Sequence, residues 1–180
     1  MPTIQAPVQT PPQSQQVLYK TPQTGMDWGP EGLGGWLILV AIGLIISPLR
    51  IAAMEFTILS VLLDGTWGLL SNSASEFYNP ALAAIIPIEF IVNLAFVFGF
   101  VFLIYLFFTK SSNFPRWYIG VYLANLIVII LDAVAVKIAV PEQPLFDPET
   151  VKEFARSLVA CVVWIPYMLQ SKRVQATFVN

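Results

Sequence analysis

GWLILVAIGLIISPLRIAAMEFTILSVLL, Gly35–Leu63, decides the fold. A bilayer's hydrocarbon core of about 30 Å needs roughly 20 apolar residues at about 1.5 Å each, and this run is longer than that. It predicts a transmembrane helix. Its second half nevertheless carries Pro48, Arg50 and Glu55. Pro48 lacks an N–H and would free the Leu44 carbonyl, which predicts a bend just ahead of Arg50. A charged side chain near mid-bilayer costs on the order of 3 kcal/mol on insertion scales, so it must be paired or face water.

Composition extends the membrane reading to the whole chain. Of 180 residues 57% are hydrophobic, above the roughly 45–50% of soluble domains. That length leaves room for three to five spans and no large aqueous domain. A net charge of −2 with no basic run excludes nucleic acid as a partner. The lone cysteine, Cys161, excludes an internal disulfide. With no histidine, the commonest general base, metal ligand and pH switch are all missing.

Taken outward from the first span, residues 1–33 are rich in Pro and Gln and too polar to bury a core, so a disordered cytoplasmic tail is expected. A four-span domain follows over 34–173, with spans at about 36–63, 80–109, 115–140 and 152–170, and a short cytoplasmic tail at 174–180. Pro80 and Pro115 suit the first turns of their helices, and Trp36, Trp117 and Tyr118 suit interfaces. The fourth span has the shortest clean apolar stretch, Leu158–Leu169, and needs Phe154 and Arg156 to complete a crossing. Lys20, Lys110, Arg116, Lys172 and Arg173 fall on one side, whereas the loops at 64–79 and 141–149 are acidic. The positive-inside bias then puts both termini in the cytoplasm, which requires an even number of spans. The expected fold class is an all-α integral membrane four-helix bundle with a disordered N-terminal tail.

Two stretches at the ends of the hydrophobic region, GLGGWLILVAIGLIISPLR at 32–50 and WIPYMLQSKRVQATFV at 164–179, resemble the signature ends of the DUF2569 family of YdgK-like bacterial inner-membrane proteins. The resemblance implies a four-span domain in the bacterial cytoplasmic membrane. It brings no activity and no catalytic residues.

Six charges fall within the spans: Arg50, Glu55, Glu89, Asp132, Lys137 and Arg156. Counted from inner interface markers, Arg50, Asp132 and Arg156 lie about 21 to 24 Å deep, and Glu55, Glu89 and Lys137 about 28 to 31 Å. Unpaired, they would oppose insertion by up to roughly 18 kcal/mol. Arg50 and Glu55, like Asp132 and Lys137, are about 140° apart around their helices, so partners are expected across helices. The expected pairs are Arg50 or Arg156 with Asp132, and Lys137 with Glu55 or Glu89. Asn93 and Asn125 extend the polar faces of Glu89 and Asp132.

No nucleotide-binding, metalloprotease or nucleophile-elbow motif appears, and the chain is expected not to be an enzyme and to need no cofactor or metal. Two functions follow. The first is a structural or interaction subunit with a buried ion-pair network, whose partners are the lipid bilayer and a homo-oligomer or larger membrane complex. The alternative is a small transporter or ligand-binding channel that uses the charged core. Dryness of the charged layers separates them.

Overall fold

The computed structural model describes residues 32–180. Among these, the elements are α1 (Trp36–Leu63), α2 (Thr66–Ser71), α3 (Pro80–Phe108), α4 (Phe114–Ala139), α5 (Pro148–Gln170) and α6 (Lys172–Thr177). The expected disordered tail over 1–33 lies outside the described residues except for its last two. The protein is an all-α integral membrane four-helix bundle. Helices α1, α3 and α4 are long and apolar enough to cross a membrane, and their outward residues, such as Ile42, Leu49, Ile91, Phe98 and Ile127, are exposed in the manner of lipid-facing side chains.

Local chemistry sets the helix ends. Gly65, in the left-handed region at φ 92°, stops α1 and leads into the short α2 within what reads as a loop. Asn79 caps α3 by accepting from the Leu82 N–H at 3.0 Å, and its amide donates to the Ala139 carbonyl at 3.0 Å, which ties the start of α3 to the end of α4. Asp147 accepts from the N–H groups of Glu149 and Thr150 at 2.8 and 2.9 Å. This cap starts α5 four residues before the expected 152, because a capped Pro148 at the first turn makes the charged stretch Glu149–Arg156 helical. α5 is then one continuous helix about 35 Å long.

α1 packs on α3, α3 on α4, and α4 on α5. Asn125 meets Ser157, and Tyr122 meets Cys161, so α4 and α5 run antiparallel. α1 approaches α5 at two points, through Trp36 on Trp164 at 6.5 Å and Arg50 on Glu153 at 3.1 Å. This is the loosest seam of the ring.

The packed core occupies only the half of the bundle nearest the described termini. Leu37, Val40 and Leu44 of α1 meet Leu103 and Phe107 of α3 there. Rings form a continuous column: Phe178 stacks on Phe114 at 4.5 Å, Phe114 lies 5.6 Å from Tyr118, Tyr118 stacks on Tyr122 at 4.3 Å, and Tyr122 meets Phe100 edge-on at 5.6 Å. The i, i+4 spacing of Phe114, Tyr118 and Tyr122 puts them on one face of α4. α6, which reaches into the expected short tail at 174–180, folds back so that Val174 and Phe178 are buried at the foot of the column. Asn180 fixes it by accepting from the Ser112 N–H at 2.7 Å and donating to the Lys110 carbonyl at 3.2 Å.

Candidate functional site

Beyond the column the four helices do not fill the space between them. A cavity of about 600 Å³ lies there, walled by all four long helices. Phe100, Tyr122 and Trp164 form its apolar end. Above them come small polar groups, Ser47, Asn93, Asn125 and Ser157, one from each helix. The charged groups Arg50, Glu89, Asp132, Glu153 and Arg156 follow. A smaller cavity of about 360 Å³ under the 140–147 loop shares Glu89, Asp132 and Thr150 with it, so the polar end reaches the loop surface. At the flank, Ile88 and Leu131 line the cavity yet are 59% and 61% exposed. The cavity therefore opens onto the apolar side of the bundle as well.

Each expected site residue can now be placed. Arg50, Glu89, Asp132 and Arg156 line the main cavity, whereas Glu55 and Lys137 do not. The expected pairs do not form. Among the described residues, Arg50 is the one of the six that makes an ion pair within 4 Å, and its partner is Glu153 rather than Asp132. The reason is the ring order: α1 borders α5, and α5 places Glu153 across the open seam. Lys137 does not reach Glu55 or Glu89. It stands in the last turn of α4 and donates to the Pro141 and Gln143 carbonyls at 2.6 and 2.8 Å, which satisfies the ammonium where a helix C-terminus favours a cation. Glu55 is 7% exposed and neither carboxylate oxygen has a hydrogen-bond partner; Asn93 of α3 approaches it without hydrogen-bond geometry. Glu89 lies within electrostatic range of Asp132, Glu55 and Glu153. The outcome is a charged cavity with one bridge across it, not a closed network of pairs.

Asn125 turns inward as its spacing from Asp132 requires, and donates to the Ser157 hydroxyl at 3.1 Å. The Ser47 hydroxyl donates back to the Gly43 carbonyl one turn earlier at 2.8 Å, as buried helical serines do. Glu153, Ser157 and Trp164 line the cavity without being among the expected charge network. Their signal is the spacing Thr150, Glu153, Ser157, Ala160, Trp164, which is i, i+3, i+7, i+10, i+14 and marks one face of a helix.

The two signature stretches meet in space. The Gly32 N–H donates to the Thr177 hydroxyl at 3.0 Å, and that hydroxyl donates to the Gly32 carbonyl at 3.2 Å. Gly35, at φ 60°, sits with the Arg173 guanidinium 3.6 Å from where a Cβ would stand. A family model described as "Protein of unknown function (DUF2569)" matches residues 30–179. The chain belongs to the DUF2569 family. No curated protein and no solved structure matches it. In this DUF2569 protein the outer parts of the two signature stretches lock α6 against the start of α1, while Ser47 and Arg50 of the first and Trp164 of the second line the cavity.

Outside the spans, two carboxyls are tuned by loop geometry. The Thr66 N–H, 2.8 Å from Asp64, holds that carboxyl below the usual range. The Thr150 N–H does the same for Asp147. Both serve helix starts; Asp64 lines neither cavity, and Asp147 lies at the wall of the smaller one.

Proposed function

We propose that this DUF2569 protein is a small ligand-binding or transport protein of the bacterial cytoplasmic membrane, crossing it four times with both termini in the cytoplasm. The observation that supports this reading over a purely structural subunit is the cavity of about 600 Å³, within the roughly 300–1,000 Å³ of small-molecule sites. An ion-pair network that served packing alone would fill its own space. Here two carboxylates on facing helices, Glu89 and Asp132, line open volume without an ion pair among the described residues. Intramembrane ionisable groups beside a cavity are the ordinary mark of a ligand or ion path.

The site holds and releases a molecule and converts nothing. Its two exits suit that role, one at the lipid-facing flank and one under the 140–147 loop. The aromatic column closes the opposite end, so in this conformation access is from the loop side and from the bilayer. Under the positive-inside assignment that is the periplasmic side.

The test uses the single native thiol. Cys161 is replaced by Ser, one cysteine is introduced at Ser47 or Asn93, and intact membranes are treated with a small charged thiol reagent. Rapid labelling at both positions is the expected result. Protection at both, in protein that still inserts, would mean a dry interior and would return the structural-subunit reading.

A further inference from the structure

We propose that the ligand is a monovalent organic cation with an apolar body, its ammonium group held between Glu89 and Asp132. This rests on the ligand-binding reading above. Three carboxylates, Glu89, Asp132 and Glu153, line the cavity against two guanidiniums, Arg50 and Arg156, which leaves one net negative charge. Arg50 is already taken by Glu153 at 3.1 Å. Arg156 also lines the cavity, one residue from Ser157 on α5, and its side chain is exposed. Glu89 and Asp132, neither in an ion pair among the described residues, stand on neighbouring helices within electrostatic range of each other.

A second observation lies behind this wall. Glu55 is 93% buried with no partner for either oxygen, and it too lies within electrostatic range of Glu89. An isolated buried carboxylate is costly, and a cation entering the neighbouring space offsets that cost for all three acids at once. An anion would meet the same field as repulsion.

The apolar requirement comes from the rest of the wall. Below the acids the space ends on Phe100, Tyr122 and Trp164, with no charge at that level, and it opens to the flank between the exposed Ile88 and Leu131. An ammonium with an apolar or aromatic body matches both halves.

Full-length protein in maltoside micelles is titrated by calorimetry with dodecyltrimethylammonium, with laurate as its anionic counterpart, and with tetramethylammonium as the cation lacking a tail. Saturable binding of dodecyltrimethylammonium at one site per chain is expected, at least about tenfold tighter than laurate, the scale of one close charge pair. Glu89→Gln and Asp132→Asn should each weaken it about tenfold. Glu76→Gln, in the exposed outer loop, should not change it and reports charge-driven partition into the micelle. If tetramethylammonium binds as tightly as the tailed cation, the apolar half of the inference is overturned and only an ammonium site remains. If laurate binds as tightly as the cation, or both acid variants bind like the parent, the inference is overturned while a wet, ligand-binding cavity survives. If thiol labelling finds the cavity dry and no probe binds, both readings fail together.

Discussion

Breaking the bridge between α1 and α5 separates stability from ligand charge. Arg50 and Glu153 meet at 3.1 Å, with side chains 39% and 27% exposed. Exposed pairs contribute about 0.2–1 kcal/mol, and losing one partner of a fully buried pair costs about 3–5 kcal/mol. A half-exposed pair at an otherwise loose seam falls between, and a coupling of about 1–2 kcal/mol is expected. Arg50→Gln, Glu153→Gln and the double variant form a cycle, read by reversible unfolding of purified protein in micelles with helix content as the signal. Each single change should destabilise, and the double should cost less than their sum. Additivity within about 0.5 kcal/mol would refute the coupling. The same variants move the cavity's net charge in opposite directions, from one negative to two in Arg50→Gln and to none in Glu153→Gln. Binding of dodecyltrimethylammonium should therefore tighten in the first and weaken in the second. A pair that acted only as a strut would weaken binding in both, and that result would remove the charge argument.

Three further expectations follow from packing and capping. Phe178, buried against Phe107 and Phe114 at 5.7 and 4.5 Å, anchors α6, and Phe178→Ala should cost about 3–5 kcal/mol; a loss below about 1 kcal/mol in micelle unfolding would mean α6 is not part of the core. The Asp147 carboxyl is held below its ordinary value by the Thr150 N–H, so its contribution is present above the usual aspartate range and is lost as pH falls through the lower folded value. The stability difference between the parent and Asp147→Asn should be constant near neutrality and vanish in acid; a difference that grows in acid would contradict the sign. Glu55→Gln replaces a buried carboxylate that has no partner, so it should leave stability within about 1 kcal/mol or raise it. Destabilisation by about 3 kcal/mol or more would show that Glu55 holds a partner.

Hydropathy alone places α1, α3 and α4, because membrane spans must be long, apolar and helical to satisfy their own backbones. α5 is harder, since its first half is charged, and only the Asp147 cap with Pro148 behind it marks where the helix starts. The polar faces at Asn93 and Asn125 are legible from spacing, and both line the cavity. The pairs are not legible, because depth along a helix says nothing of which helices are neighbours. Arg50 and Asp132 stand at similar depths, yet Glu153 across the α1–α5 seam claims Arg50. Lys137 illustrates a second limit: backbone carbonyls of the following loop carry no sequence signature, and they outcompete a distant carboxylate.

The hollow half of the bundle is written into the same helical stripes that fill the other half. On α1 the inward stripe runs Leu37, Val40, Leu44 and then Ser47; on α4 it runs Phe114, Tyr118, Tyr122 and then Asn125. Running the other way, α3 gives Phe107, Leu103, Phe100 and then Asn93, and α5 gives Met168, Cys161 and then Ser157. All four change from large apolar to small polar about 17 to 23 Å from the helix ends at the packed side of the bundle. In lipid, helices associate through close packing and shared hydrogen bonds, since the bilayer is as apolar as any leucine core. Four stripes of leucine or phenylalanine carried to the outer end would have closed the bundle at no cost in hydrophobic contact. Substituting Ser47, Asn93, Asn125 and Ser157 at one level gives up that packing on every helix together, with the charged groups immediately above. A packing defect would be local to one helix pair. A change shared by four helices at one level is the arrangement of a site, and it places the boundary between scaffold and cavity at the ring of Tyr122, Phe100 and Trp164.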